Sequence, residues 1–448
     1  MTWGQRAIWK PIQWLGEEAH YFNLSRVLSL PSGLTAAAVV DAIGQLLSRH
    51  EALRTHFSMS SAGPRQDIAA EGSLAVPHYR SEPGGGQGVA ERLALALASE
   101  PFQHDQEWPV RCALVLDGER PTHLALVFSH LAVDFWAVNE VEQDLRALFA
   151  GTEAAAPTWH PQDQARYESD GPGAARGRRA LDYWRRTLRK MPLSLFAAPA
   201  HEPAGQRFVR LRLESTAAAV AATVLSRRCE VSTGAVLLAA TSVLLGRYTG
   251  QRTVGLQLIA RNRPDDRSRR MVGAMIQNSI VVLDVHEGSF DAAVRAAFHS
   301  ALNSYRFSQY DPLALDTVIA EVTHDFGGTD PDLTVYFNDA RLQDHWDDLP
   351  QTDGSAGALR KLMEQTEVVL VGAWERQDTR FFAHTSFAPD RCHLHLLADT
   401  AFIPQQDIEL LLRGVERLLV EAAVGALDLH DAEALAGLDR RAGLRRTG

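Results

Sequence analysis

A histidine and an aspartate four residues apart close an apolar run: Leu124-Ala125-Leu126-Val127-Phe128-Ser129-His130-Leu131-Ala132-Val133-Asp134-Phe135-Trp136. A neutral imidazole near its reference pKa of about 6.5 can take a proton from an amine or hydroxyl as it attacks a carbonyl, which is the proton transfer that acyl transfer requires. His130 is therefore a candidate general base, and Asp134 is placed to hold the same loop through backbone donors or a buried arginine. Taken alone, an HxxxD pattern fits a structural histidine better than a base. Ser129 does not make a nucleophile pair with His130, because neighbouring residues of extended chain point to opposite faces.

The elements that must position these residues follow from periodicity. Thr122 to Phe128 reads as a strand, paired with Pro109 to Leu116 across the turn Asp117-Gly118-Glu119-Arg120-Pro121, and Ala137 to Phe149 has helical spacing. His130 thus sits on a short strand-to-helix connection, where polar groups are presented by an apolar scaffold. Thr35 to Ser48 carries Val39, Val40, Ile43, Leu46 and Leu47 on one helical stripe, with Thr35 as N-cap. Gly151 to Gly177 has little apolar periodicity and reads as a linker. Beyond it come a strand at Phe208 to Leu213, helices near Thr216 to Arg228 and Ser232 to Tyr248, strands at Thr253 to Ala260, Ser279 to Val285, Leu333 to Phe337, Val368 to Trp374 and Arg380 to Phe387, and a helix from Gln405 to Ala423. Both halves read as α/β sandwiches, and their coarse similarity permits a pseudo-duplicated fold.

Composition narrows the function classes. The 448 residues are 46% apolar and 22% charged, which describes a globular chain of two domains. A net charge of -10 argues against nucleic acid as the partner. The basic stretch from Arg176 to Lys190 has near-helical apolar spacing and fits a solvated amphipathic helix, with a docking face for an acidic protein as the other reading. No window reaches the roughly 20 apolar residues of a membrane helix, and the first residues lack the build of a signal peptide, so a cytoplasmic location without membrane contact is expected. Cys112, Cys229 and Cys392 are too dispersed for a disulfide framework or thiolate metal site. His393 and His395 lack a convincing third ligand, and Gly84-Gly85-Gly86 lacks the lysine of a phosphate loop. No bound metal, nucleotide or other cofactor is expected.

Four stretches beside the HxxxD motif carry a family likeness. Thr2-Trp3-Gly4-Gln5-Arg6-Ala7-Ile8-Trp9 places a Gln before a Trp near the start, and Arg49-His50-Glu51-Ala52-Leu53-Arg54-Thr55-His56-Phe57 forms a second motif. Asn262-Arg263 is followed after eight residues by Val272-Gly273, and Ser308-Gln309-Tyr310-Asp311-Pro312-Leu313 comes last. Together and in this order they resemble the condensation-domain superfamily of nonribosomal peptide synthetases over nearly the whole chain.

That resemblance implies an α/β fold of two chloramphenicol-acetyltransferase-like lobes in a V-shaped pseudo-dimer with a central tunnel. Residues 1–165 would form the N-terminal lobe with the Ser-His-x-x-x-Asp-Phe motif, and 166–448 the C-terminal lobe with the Asn-Arg motif. Donor and acceptor carrier proteins would approach from opposite ends, each bearing its substrate on a phosphopantetheine arm. His130 matches the functional histidine of the His-His-x-x-x-Asp-Gly signature, Asp134 its structural aspartate, and Arg263 the arginine paired with that aspartate across the lobes. Arg111 is a second candidate for this network. Ser129 stands where the signature has its first histidine and Phe135 where it has glycine; with Trp136 they are expected to shape the substrate channel. The implied activity is an amide-forming acyltransferase of nonribosomal peptide biosynthesis. An ester-forming or free-amine-accepting acyltransferase, and a non-catalytic docking platform for carrier or tailoring proteins, are the other readings.

Overall fold

Every residue from Leu124 to Ser129 is buried, so this strand needs partners on both edges and cover on both faces. A computed structural model describes residues 1–448 except 62, 153–155, 197–198, 200–204, 353 and 439–448. Its contacts divide the chain into two units, one made of Met1–Arg178, Arg261–Gln277 and Gln309–Pro312, the other of Arg179–Ala260, Asn278–Ser308 and Leu313–Gly448.

The first unit contains α1 (Trp3–Leu15), β1 (Asn23–Ser29), α2 (Ala36–Arg49), β2 (Thr55–Ser60), β3 (Gly63–Ile68), β4 (His78–Arg80), α3 (Gly86–Ala98), β5 (Val110–Asp117), β6 (Arg120–Ser129), α4 (Phe135–Phe149), α5 (Pro161–Ser169) and the start of α6 (Gly171–Leu188). Its sheet has the order β1-β6-β5-β4. Strands β5 and β6 form the expected antiparallel hairpin, and β1 pairs antiparallel along the other edge of β6, with Asn23 opposite Ser129. Period-two alternation sends Leu114, Leu124, Leu126 and Phe128 into a core with Ile43, Leu46, Val138, Val141 and Leu145 of α2 and α4. The opposite face presents Ala113 and Ala125, small enough for α3 to settle on them through Ala94. Thr35 caps α2 by accepting a hydrogen bond from Ala38 N at 3.1 Å.

Two expectations are corrected here. The stretch 151–177 is not an unstructured linker, because α5 and α6 occupy most of it. Within 151–177 these helices show no apolar stripe because the buried positions include Gln164, Glu168, Gly173 and Gly177; the stripe of α6, Ala180, Trp184 and Leu188, begins beyond that stretch. At Gly177 a Cβ would lie 2.5 Å from the Trp3 ring, so glycine lets the helix pack directly on that indole. Nor does one cut at 165/166 divide the chain: residues 261–277, with the Asn-Arg motif, and 309–312 belong with the first unit.

The second unit continues with β7 (Phe208–Ser215), α7 (Thr216–Cys229), α8 (Thr233–Thr249), β8 (Thr253–Ala260), β9 (Gln277–Asp284), α10 (Phe290–Arg306), α11 (Pro312–Asp325), β10 (Val335–Asp339), α12 (Ala356–Met363), β11 (Glu367–Trp374), β12 (Phe381–Ser386), β13 (Cys392–Asp399), α13 (Gln405–Val424) and α14 (Ala432–Ala436), while the short α9 (Asp266–Arg269) lies in the inserted part of the first. A mixed sheet of order β11-β7-β13-β12-β10-β8-β9 runs through it. Along β7, buried Leu211 and Leu213 alternate with half-buried Arg210, Arg212 and Glu214, so one face packs against α7, α8 and α13 and the other carries charge. Ser215 and Ser232 cap α7 and α8. All three cysteines are buried free thiols. Among the described residues no single helix is long and apolar enough to cross a membrane. The arginine-rich end of the chain falls at 439–448, outside the described residues.

Candidate active site

Strand β6 ends at Ser129, α4 begins at Phe135, and the five residues between them form a tight turn. The carbonyl of Ser129 accepts hydrogen bonds from Ala132 N at 3.0 Å and Val133 N at 3.2 Å. His130 is half-buried at the head of this turn. Its Nδ1 lies 2.8 Å from the carbonyl oxygen of Val133. A carbonyl only accepts, so Nδ1 carries the proton and Nε2 of the neutral ring keeps its lone pair. Burial holds the imidazole below its ordinary pKa of 6.5, against the Val133 carbonyl and the Asp134 charge, which raise it. The ring is therefore unprotonated at neutral pH and has one nitrogen able to take a proton.

Asp134 ends the turn. One carboxylate oxygen caps α4 by accepting from Ala137 N at 2.9 Å, and the other accepts from Met275 N at 2.9 Å. Arg263 Nη2 binds both oxygens, at 2.9 and 3.0 Å, with Asp134 fully buried and Arg263 nearly so. The guanidinium also donates to the carbonyls of Ser268 at 2.8 Å, Met271 at 2.6 Å and Gly273 at 2.8 Å. One arginine thus winds residues 263–273 around itself and ties them to the turn that holds His130. The aspartate's lone pairs are used in this way and make no hydrogen bond to the imidazole, so its action on His130 is geometric and electrostatic.

The other motifs converge on the same segment. Thr2 and Gln5 form a capping box at the start of α1, and Thr2 Oγ1 donates to Ala274 O at 3.0 Å. A Cβ on Gly4 would lie 2.5 Å from Ala274 O, so glycine lets α1 sit on the backbone whose next residue, Met275, binds Asp134. His50 Nε2 meets Asp144 of α4 at 2.8 Å, with Arg49 and Arg270 also beside that carboxylate. Burial alone would raise Asp144, but the His50 bond and these cations hold it below the usual carboxylate range. Gln309 Nε2 donates to Asn262 O at 3.0 Å and Gln277 Nε2 to Tyr310 O at 2.7 Å. Asp311 pairs with Arg6 at 3.1 Å.

Arg111 is not part of the Asp134 network. Its guanidinium forms two bonds to Glu107, at 2.9 and 2.7 Å, and donates to the carbonyls of Leu97, Glu100 and Pro101, with its Cζ 4.1 Å from the Phe102 ring centroid. It shapes the segment between α3 and β5 instead, because β5 points it toward that segment. Ser129 does not line a channel: it is 1% exposed, and its hydroxyl lies 2.7 Å from His104 Nε2 and accepts from Leu131 N at 3.2 Å. Phe135 and Trp136 are half-buried at the start of α4, with their rings 6.2 Å apart. Arg26 lies 4.9 Å from the Phe135 ring and Arg261 5.0 Å from that of Trp136. His104 is the site residue that sequence reasoning missed, a lone histidine in a polar stretch whose partner is 25 residues away. Among the described residues no group of three or more His, Cys, Asp or Glu could hold a metal ion.

A family model described as "Condensation domain" matches residues 2–318. The chain belongs to the condensation-domain family of nonribosomal peptide synthetases. Chondramide synthase from Chondromyces crocatus is 26% identical over 340 residues, a match that covers 71% of this chain and 8% of that protein. The chain thus spans a small part of the curated relatives it matches. Among solved structures, the SgcC5 protein from Streptomyces globisporus has a TM-score of 0.69 at 18% identity and covers 90% of this chain and 92% of that one. The first condensation domain of the calcium-dependent antibiotic synthetase has a TM-score of 0.66 at 18% identity, covering 95% and 96%. The mixed α/β architecture is therefore the chloramphenicol-acetyltransferase-like fold of condensation domains. Condensation domains form amide bonds by acyl transfer and work with carrier-protein domains in multidomain synthetases.

Proposed function

We propose that this chain is a working condensation catalyst, with His130 as the base that joins a carrier-bound thioester donor to an amine acceptor. The acceptor nitrogen attacks the thioester carbonyl as Nε2 of His130 takes its proton. The C–N bond forms, the C–S bond breaks, and the departing thiolate recovers the proton. The observation that supports this most directly is the hydrogen bond from His130 Nδ1 to the Val133 carbonyl, which leaves Nε2 of the neutral ring unprotonated. Asp134 and Arg263 fix the turn, and the chain itself needs no bound cofactor because both substrates arrive on the phosphopantetheine arms of carrier proteins. Phe135 and Trp136 set the shape of the approach to His130.

The test is intact-protein mass spectrometry of a loaded donor carrier mixed with a loaded acceptor carrier, with wild type and His130→Ala. Mass transfer with wild type and its loss in His130→Ala, with the fold retained, supports the reading. Equal transfer by both proteins overturns it. Carrier binding without transfer favours a docking platform, and transfer to a hydroxyl or to a free amine favours the ester-forming or free-amine-accepting alternative.

A further inference from the structure

Ser129 stands where the signature has a histidine, yet an imidazole lies beside it. His104 reaches it from the stretch between α3 and β5, with Nε2 at 2.7 Å from Ser129 Oγ. That imidazole is boxed by aromatic rings, with centroids 6.4 Å away for Trp9, 6.3 Å for Phe57 and 6.1 Å for Phe102. The backbone around it is fastened: Phe57 N donates to His104 O at 2.8 Å, and Arg111 holds Glu107 and the carbonyls of Leu97, Glu100 and Pro101. Burial brings His104 down to about 4, so the ring is neutral and exchanges one hydrogen bond with the hydroxyl.

Ser129 is the residue from which the His130 turn is hung. Its hydroxyl accepts Leu131 N, its carbonyl accepts Ala132 N and Val133 N, and the carbonyl of Val133 in turn accepts the proton of His130 Nδ1. A displacement of the Ser129 side chain passes through these bonds to the His130 ring. Ser129 itself is too buried to meet a substrate, which excludes the pair as a nucleophile.

We propose that His104 is a positioning residue for His130, acting through the Ser129 hydroxyl: an imidazole delivered from a separate segment takes the place beside position 129 that the family signature fills from within the strand. This rests on His130 being the base. A shift of about 1 Å at a reacting group can cost about a hundredfold in rate, so His104→Leu is expected to lower kcat by about tenfold to a hundredfold with KM for both carriers unchanged. His104→Gln, whose amide nitrogen can reach the place of Nε2, is expected to restore most of it. Moving the imidazole in the double variant His104→Leu with Ser129→His is expected to recover turnover relative to His104→Leu alone.

A second readout does not depend on turnover: the rate at which diethyl pyrocarbonate modifies His130, located by peptide mass spectrometry. His104→Leu should change that rate severalfold while His104→Gln keeps the wild-type value. Unchanged kcat and unchanged modification in His104→Leu would overturn the proposal while leaving the base assignment intact. A changed modification rate in a chain whose wild type transfers nothing would support the positioning of His130 and overturn the catalytic reading beneath it. If His104→Leu does not fold, a His104→Gln variant that folds but has lost both readouts would overturn the proposal.

Discussion

Arg263→Ala removes the guanidinium that holds Asp134. The Asp134 carboxylate, fully buried, would lose both bonds from Nη2 and keep only Ala137 N and Met275 N, and the carbonyls of Ser268, Met271 and Gly273 would lose their donor. Removing one partner of a buried ion pair costs about 3–5 kcal/mol because the other charge is left uncompensated. In a unit of roughly 150–250 residues each kcal/mol moves the thermal midpoint by about 2–4 °C, so the first unit should melt about 6–20 °C lower. Differential scanning calorimetry reads this directly. Adding Asp134→Asn to Arg263→Ala should recover part of the loss, because it removes the stranded charge while keeping an acceptor for the α4 cap. A single variant Arg263→Ala that melts within about 2 °C of wild type, the size of a surface substitution, would refute the reasoning.

Three further outcomes follow from the same structure. Arg111→Ala should destabilise by about 1–3 kcal/mol in urea unfolding and lower transfer as well, since Glu107 and three carbonyls of the His104 segment lose their partner; unchanged stability would contradict that role. Burial pushes the Glu168 carboxyl up to about 7, against bonds from Gln164 and Trp3 N that favour its charge. Because the folded pKa lies above the ordinary value of 4.5, the folded state binds the extra proton, and stability falls by roughly 3 kcal/mol as pH rises from 4.5 to 7. Glu168→Gln should flatten that slope in melting curves recorded against pH. Gly4→Ala would put a Cβ 2.5 Å from Ala274 O, so it should lower both the melting temperature and the transfer rate; wild-type values for both would show that α1 can move away without cost.

The sequence carried the site's motifs more clearly than its packing. Strands β5 and β6, helix α4 and the Thr35 cap of α2 were legible because each depends on periodicity or capping within a short stretch. So was the pairing of Asp134 with Arg263, though only through the family resemblance, since 129 residues separate them. Helix α5 and the first turns of α6 were hidden because glycine and polar residues occupy their buried positions, which erases the apolar stripe that marks a helix, whereas the later part of α6 was legible from its apolar spacing. The division into units was hidden for a different reason: the chain returns to the first unit twice, and no local pattern encodes such a return. Arg111 was placed in the wrong network because its direction depends on the course of the chain around β5. His104 carried no signal at all, since its meaning comes from Ser129, 25 residues away in sequence and 2.7 Å away in space.

The pH dependence of single-turnover transfer between loaded carriers tests the base assignment most directly. Nε2 must be unprotonated to act, and burial holds the His130 pKa below 6.5. Beyond the titration of the acceptor amine, which both proteins share, the wild-type rate should show a further fall on the acid side with its midpoint below 6.5, and His130→Gln should lose that further limb together with about a hundredfold to ten-thousandfold in rate. A wild-type to His130→Gln rate ratio that stays constant across that acid range would contradict the account.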